Sequence, residues 1–100
     1  MNHTDVLQRT LAKAQQIMAD GGYATTNWRY TIKPLEGISE LEVRCDMWDW
    51  AGSATLQYAT GLLAVDEVYS IIADDVARAL VLNMPTELRT RPLLPPKPRQ

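Results

Sequence analysis

The sequence predicts a single α+β domain in the order α-β-β-β-α: a three-stranded antiparallel meander with two helices on one face and a Pro-rich C-terminal tail. Three observations carry this. Apolar residues recur with helical spacing near the N-terminus and again in the second half, and alternate with a period of two between them. The links between alternating stretches are short and built of turn residues, which leaves antiparallel pairing as the simplest topology. A chain of 100 residues, 46% hydrophobic and 22% charged, has room for one core.

The first helix is expected over residues 5–20. Leu7, Leu11, Ala14 and Met18 form its apolar stripe, widened by Val6 and Ile17; Gln8, Arg9, Lys13, Gln15 and Gln16 form the solvated side. Thr4 or Asn2 can cap it, Asp5 suits the positive first turn, and Gly21-Gly22 offers a left-handed stop. The period then changes. Trp28, Tyr30 and Ile32 alternate with Arg29, Thr31 and Lys33, and Pro34-Leu35-Glu36-Gly37 is turn chemistry. The return strand sets Ser39, Leu41, Val43, Cys45 and Met47 against Glu40, Glu42, Arg44 and Asp46, and the polar faces are expected to pair Arg29 and Lys33 with Glu40 and Glu42. Gly52 reads as a break after Trp48-Asp49-Trp50-Ala51, and Ser53–Thr60 as a third, weaker strand with Ala54, Leu56 and Tyr58 inward.

The second helix is expected from Leu62 or Ala64 to Asn83, with Val65, Val68, Tyr69, Ile72, Val76, Ala79 and Leu80 on its core side and Asp74 paired with Arg78. Asn83 before Met84-Pro85 ends it. Five of the six prolines fall in residues 85–98, so the domain is placed at 1–85 and a basic tail at 86–100.

Cys45 is the only cysteine and His3 the only histidine, which excludes a disulfide scaffold and a zinc site of soft ligands; with His3 in the terminal segment, a nucleophile with an imidazole base gets no support. Catalysis, a cofactor and a structural metal are therefore not expected. With no signal-like leader and no long apolar run, a cytoplasmic protein that does not meet the membrane is expected. The net charge of −2 conceals an asymmetry. Residues 1–85 carry six Lys or Arg against eleven Asp or Glu (−5), whereas residues 86–100 carry four against one (+3).

The α-β-β-β-α order resembles that of double-stranded RNA-binding domains. Those domains grip phosphate with lysines at the start of the second helix. Here Asp66-Glu67 stands at that point, and no Lys occurs between Lys33 and Lys97, so the resemblance is one of element order only. Direct nucleic acid binding is accordingly not the first expectation; the route left to it is through Arg29, Lys33 and the basic tail.

Acidic pairs recur at Asp46 and Asp49, Asp66 and Glu67, and Asp74 and Asp75, beside the unusual Trp48-Asp49-Trp50. Solvated carboxylates account for most such pairs, and at least one indole is expected to close the core, since the chain has no Phe. Yet Trp anchors flanked by carboxylates also suit a docking surface. The functional expectation is a non-enzymatic protein-binding module, a small inhibitor or adaptor that docks Asp46, Trp48, Asp49, Trp50, Asp66, Glu67, Asp74 and Asp75 on a larger protein or ribonucleoprotein complex with a basic surface. Phage-encoded inhibitors such as anti-CRISPR proteins are the class analogy. Ile71 and Leu82 project off the core side of the second helix, toward a second copy in a homodimeric assembly or toward tail residues Leu93 and Leu94. Within the tail, Pro92 and Pro95, flanked by Arg89 and Lys97, resemble a PxxP ligand of SH3 domains; a solubilising tail is the plainer reading.

Overall fold

The ten-residue alternation around Val43 makes the central strand, and the rest of the domain is assembled on its apolar side. In the computed structural model, which describes residues 3–47 and 50–90, the order is α1 (His3–Asp20), β1 (Thr26–Leu35), β2 (Ile38–Met47), β3 (Trp50–Ala59), two 3₁₀ turns (Leu62–Ala64 and Asp66–Val68), α2 (Tyr69–Asn83) and a short α3 (Thr86–Thr90). The three strands form one antiparallel sheet in sequence order, so β2 is paired on both sides. The expected α-β-β-β-α meander is what forms, and the molecule measures 40 × 30 × 18 Å.

All fully buried sheet residues lie on one face. Leu41, Val43, Cys45 and Met47 of β2 and Ala54 of β3 are at most 1% exposed, whereas no residue of β1 is fully buried and Trp28, Tyr30 and Ile32 pack on the core from a half-covered edge. The helices contribute Val6, Leu7, Ala14 and Met18 from α1 and Ile72, Ala73, Val76, Ala77 and Leu80 from α2. Thr10 is also buried; its hydroxyl donates to the Val6 carbonyl at 2.8 Å, so α1 buries a polar group without leaving it unsatisfied.

The end of α1 follows from its glycines. Tyr23 N–H donates to Met18 O and Gly22 N–H to Ala19 O, the paired bonds of a Schellman closure, with Gly22 at φ 93. This turn aims Tyr23 back at the domain, where its hydroxyl donates to Arg89 O at 2.8 Å. Residues 86–90 are therefore helical, and this bond ties α3 to the end of α1. In the first hairpin Leu35 pairs with Ile38 around Glu36-Gly37, and Gly37 takes φ 70, which only glycine adopts readily.

Three expectations are corrected. First, α2 begins at Tyr69 instead of Leu62 or Ala64. Gly61 is left-handed and Val65 is extended (φ −92, ψ 116), which breaks the helical path into two 3₁₀ turns. The break buries Leu63 at 1% and leaves Val65 38% exposed, so Val65 is not a core residue. Second, Gly52 lies inside β3. Met47 pairs with Trp50 and Cys45 with Gly52, and the Trp50 indole folds back over Gly52, so that a methyl group there would overlap the ring. Glycine within the strand is a seat for an aromatic ring. Third, Lys33 faces Glu40 as expected, but Arg29 faces Arg44, because the two-residue hairpin loop sets the register.

Gly52→Ala should therefore displace the Trp50 ring and cost about 1–3 kcal/mol, lowering the melting temperature by roughly 4–8 °C per kcal/mol in a domain of this size. In a Trp50→Ala background the same change should cost much less, because the clash has gone. Thermal unfolding of the four proteins checks both.

Candidate protein-docking surface

The solvent side of α2 and the cleft beside it form the least explained surface of the domain. α1 and α2 pack together in the same direction: the Arg9 guanidinium lies 5.8 Å from the Tyr69 ring centre near their N-terminal ends. Toward their C-terminal ends the helices part around a cleft of about 320 Å³. Ile17, Met18, Tyr23, Ala77, Val81 and Leu82 give it apolar walls, and Asp74 and Arg78 stand at its rim. Ala77 opens the cleft because its side chain ends at Cβ.

Along α2, Ile71, Asp74, Arg78 and Leu82 lie on one outward stripe, as spacings of three and four residues dictate. Arg78 Nη2 meets Asp74 Oδ2 at 2.6 Å. Ile71 and Leu82 are each 63% exposed, whereas the other exposed large aliphatic residues among those described are below 40%. Ordinary leakage of apolar surface explains the latter group; two aliphatic side chains bracketing an ion pair on one helix face are a feature to account for.

The residues expected to form one acidic, Trp-bearing site are not brought together. Asp46 and Trp50 lie at one end of β2 and β3 but on opposite sheet faces: Asp46 is outward and accepts from Asn27 Nδ2 at 2.7 Å, whereas Trp50 packs on the core. Asn27 has φ 54 beside a register shift in β1, so the Asp46 carboxylate holds an irregular strand end. Trp48 and Asp49 lie outside the described residues. Asp66 and Glu67 form a 3₁₀ turn beyond the opposite end of β3, about 30 Å away along a ten-residue strand. Glu67, like Asp74, is exposed, and Asp75 is half-buried near Tyr58. Arg89 belongs to α3, its Nη2 donating to Thr86 Oγ1; Pro92, Pro95 and Lys97 lie outside the described residues. The signal for the cleft in the residues is the run Leu80-Val81-Leu82, richer in apolar residues than one buried stripe requires.

The outer sheet face is charged but balanced. Arg29, Arg44 and Ser53 form one cross-strand row beside a 240 Å³ hollow, with Glu42 on Arg44 at 2.9 Å and Asp46 at the rim. Two arginines directly opposed disfavour the pair slightly, and the adjacent carboxylates offset their field.

Nucleophilic chemistry finds no support in the environment of Cys45. Burial, and after it the Asp46 carboxylate, push the thiol from 9.0 up to about 11, so it stays protonated near neutrality. The Tyr58 hydroxyl is buried without a partner in good hydrogen-bond geometry; burial first and the facing Asp75 carboxylate second raise its pKa. Among the described residues no group of three or more His, Cys, Asp or Glu is placed to hold a metal ion, and no helix is long and apolar enough to cross a membrane. The chain matches no protein-family model, no curated protein and no solved structure.

Because folding favours the protonated Cys45 thiol, its contribution to stability is level up to about pH 9 and falls as pH rises toward 11, while the unfolded thiol ionises and the folded one does not. Urea unfolding of the wild type and of Cys45→Ala should show the stability difference between them narrowing or reversing over that interval. At about pH 8 a thiol reagent should label Cys45 only as fast as the domain opens.

Proposed function

We propose that this protein is a non-enzymatic protein-binding module whose docking surface is the outward face of α2 with the adjoining interhelical cleft. The observation that carries the reading is that cleft: about 320 Å³, apolar, and continuous with Leu82, one of the two most exposed aliphatic side chains of α2. Asp66, Glu67, Asp74 and Asp75 make the segment 66–75 acidic, which favours a larger protein or ribonucleoprotein complex presenting a basic surface with an apolar anchor for the cleft. A small inhibitor or adaptor would act in this way, and anti-CRISPR proteins from phages are the analogy at the level of class.

A second reading, contact with nucleic acid across the outer sheet face, draws on the Arg29, Arg44 and Ser53 row with Lys33. It is the weaker one, because Glu40, Glu42 and Asp46 share that face.

Affinity capture from nuclease-treated lysate of the native source should recover a protein in stoichiometric amount with the wild type. Leu82→Asp, at an exposed site, should keep the fold and lower that recovery about tenfold or more, since apolar anchors dominate docking energies. Recovery of nucleic acid alone, and only when nuclease is omitted, would replace this reading with the second one.

A further inference from the structure

The outward stripe of α2 is complementary to itself. Ile71 and Leu82 lie equally far, about 8 Å, on either side of the midpoint between Val76 and Ala77. Asp74 and Arg78 stand on opposite sides of the same point, one residue short of symmetric, so the stripe reads apolar, acidic, basic, apolar from Ile71 to Leu82. If a second α2 is laid antiparallel on the first with a two-fold axis at this midpoint, Ile71 of each copy meets Leu82 of the other. Arg78 of each copy then meets the Asp74 carboxylate of the other. A two-fold contact pairs residues reciprocally in this way, so a stripe of this order is complementary to an antiparallel copy of itself.

We propose that two copies of this chain associate through α2 in this antiparallel, isologous register. The inference rests on the reading of this face as a docking surface and adds a named occupant. Two further features of the structure favour a second copy. Ile71 and Leu82 are the most exposed large aliphatic residues among those described, and the register covers both at once. Leu82 also walls the 320 Å³ cleft, so Ile71 of the second copy arrives at the cleft mouth, next to Val81 and Ile17. Asp74 and Arg78 are already paired within each helix at 2.6 Å, so the contact merges two prepaired ion pairs into one alternating cluster and leaves no charge buried alone. A single helix face is small against standard interfaces, so the association is weak and concentration-dependent. Since the dimer covers the docking face, a larger partner and the second copy compete for it.

Sedimentation of the full chain should show the mass rising from 11.2 kDa toward twice that value with concentration, over roughly 5 to 500 µM, where small interfaces populate. Leu82→Asp should stay monomeric throughout. Asp74→Arg and Arg78→Glu each oppose like charges in their own homodimer and should dissociate at least tenfold more readily than the wild type. Mixed in equal amounts they should recover association. In the mixed dimer the introduced arginine of one chain meets the introduced glutamate of the other, and the remaining native Arg78 meets the remaining native Asp74. All three positions are exposed, and circular dichroism with a cooperative melt confirms that each variant is folded. A wild type monomeric across the range overturns the dimer, as does a dimer untouched by Leu82→Asp. A dimer weakened by both charge variants but not recovered on mixing overturns the register. The docking reading fails separately, when lysate capture is insensitive to Leu82→Asp in a protein shown to be folded.

Discussion

Burial of one face of β2 dictates how every other element packs. β2 alone is paired on both sides, and Leu41, Val43, Cys45 and Met47 on its inner face are at most 1% exposed. Burying a side chain of this kind is worth about 1.5–3 kcal/mol, against about 0–1 kcal/mol for an exposed ion pair such as Arg44 with Glu42. A slip of one residue would carry Glu40, Glu42, Arg44 and Asp46 into the core. Register therefore answers to the apolar face, and the charged face takes whatever partners result. That is why Arg29 ends opposite Arg44: the cost of opposed charges at the surface is small beside that of turning β2 over.

The same constraint decides where the helices can go and what they leave uncovered. α2 lies over β3, with Asn83 Nδ2 donating to Ser53 O at 3.0 Å, and α1 packs on α2, where Ala14, Ala73 and Ala77 are fully buried. Small side chains allow close approach, and near the helix ends Ala77 leaves the hollow that becomes the cleft. The first 3₁₀ turn exists to bring Leu63 under the helices, at the expense of regular helix between Gly61 and Tyr69. Tyr23 then closes the far side: the Schellman turn that ends α1 delivers its hydroxyl to Arg89 and holds α3 beside the cleft. The proposed docking face is thus a by-product of packing, lying where α2 has satisfied its inner face and still presents Ile71 and Leu82 to solvent.

The candidate site was only partly legible from residues. Ile71 and Leu82 could be assigned to the outer side of α2 because helical phase is local, and Asp74 with Arg78 because i, i+4 pairs are local. The grouping of Asp46 with Trp50 failed for a reason of parity. With Met47 paired to Trp50, alternation sends Trp50 inward and Asp46 outward, and only knowledge of where the turn falls supplies that parity. The grouping of Asp46 with Asp66 and Glu67 failed because nearness in charge type carries no information about the length of β3 between them.

Hydrophobic period is written residue by residue, two for β2 and 3.6 for α1 and α2, so these main elements and their order are legible in the residues, whereas the two 3₁₀ turns and α3 are not. The chain reversals at Gly22 and Gly37, where positive φ demands glycine, are legible too. That Gly52 lies within a strand follows from packing, because the cause is an indole two residues away that folds onto it. Packing likewise decides the late start of α2, which reflects the need to bury Leu63, and the cleft, which is a property of two helices and belongs to neither alone. Periodicity reports how each element divides its own residues between core and solvent; the space between elements is settled only when their side chains compete for the same core.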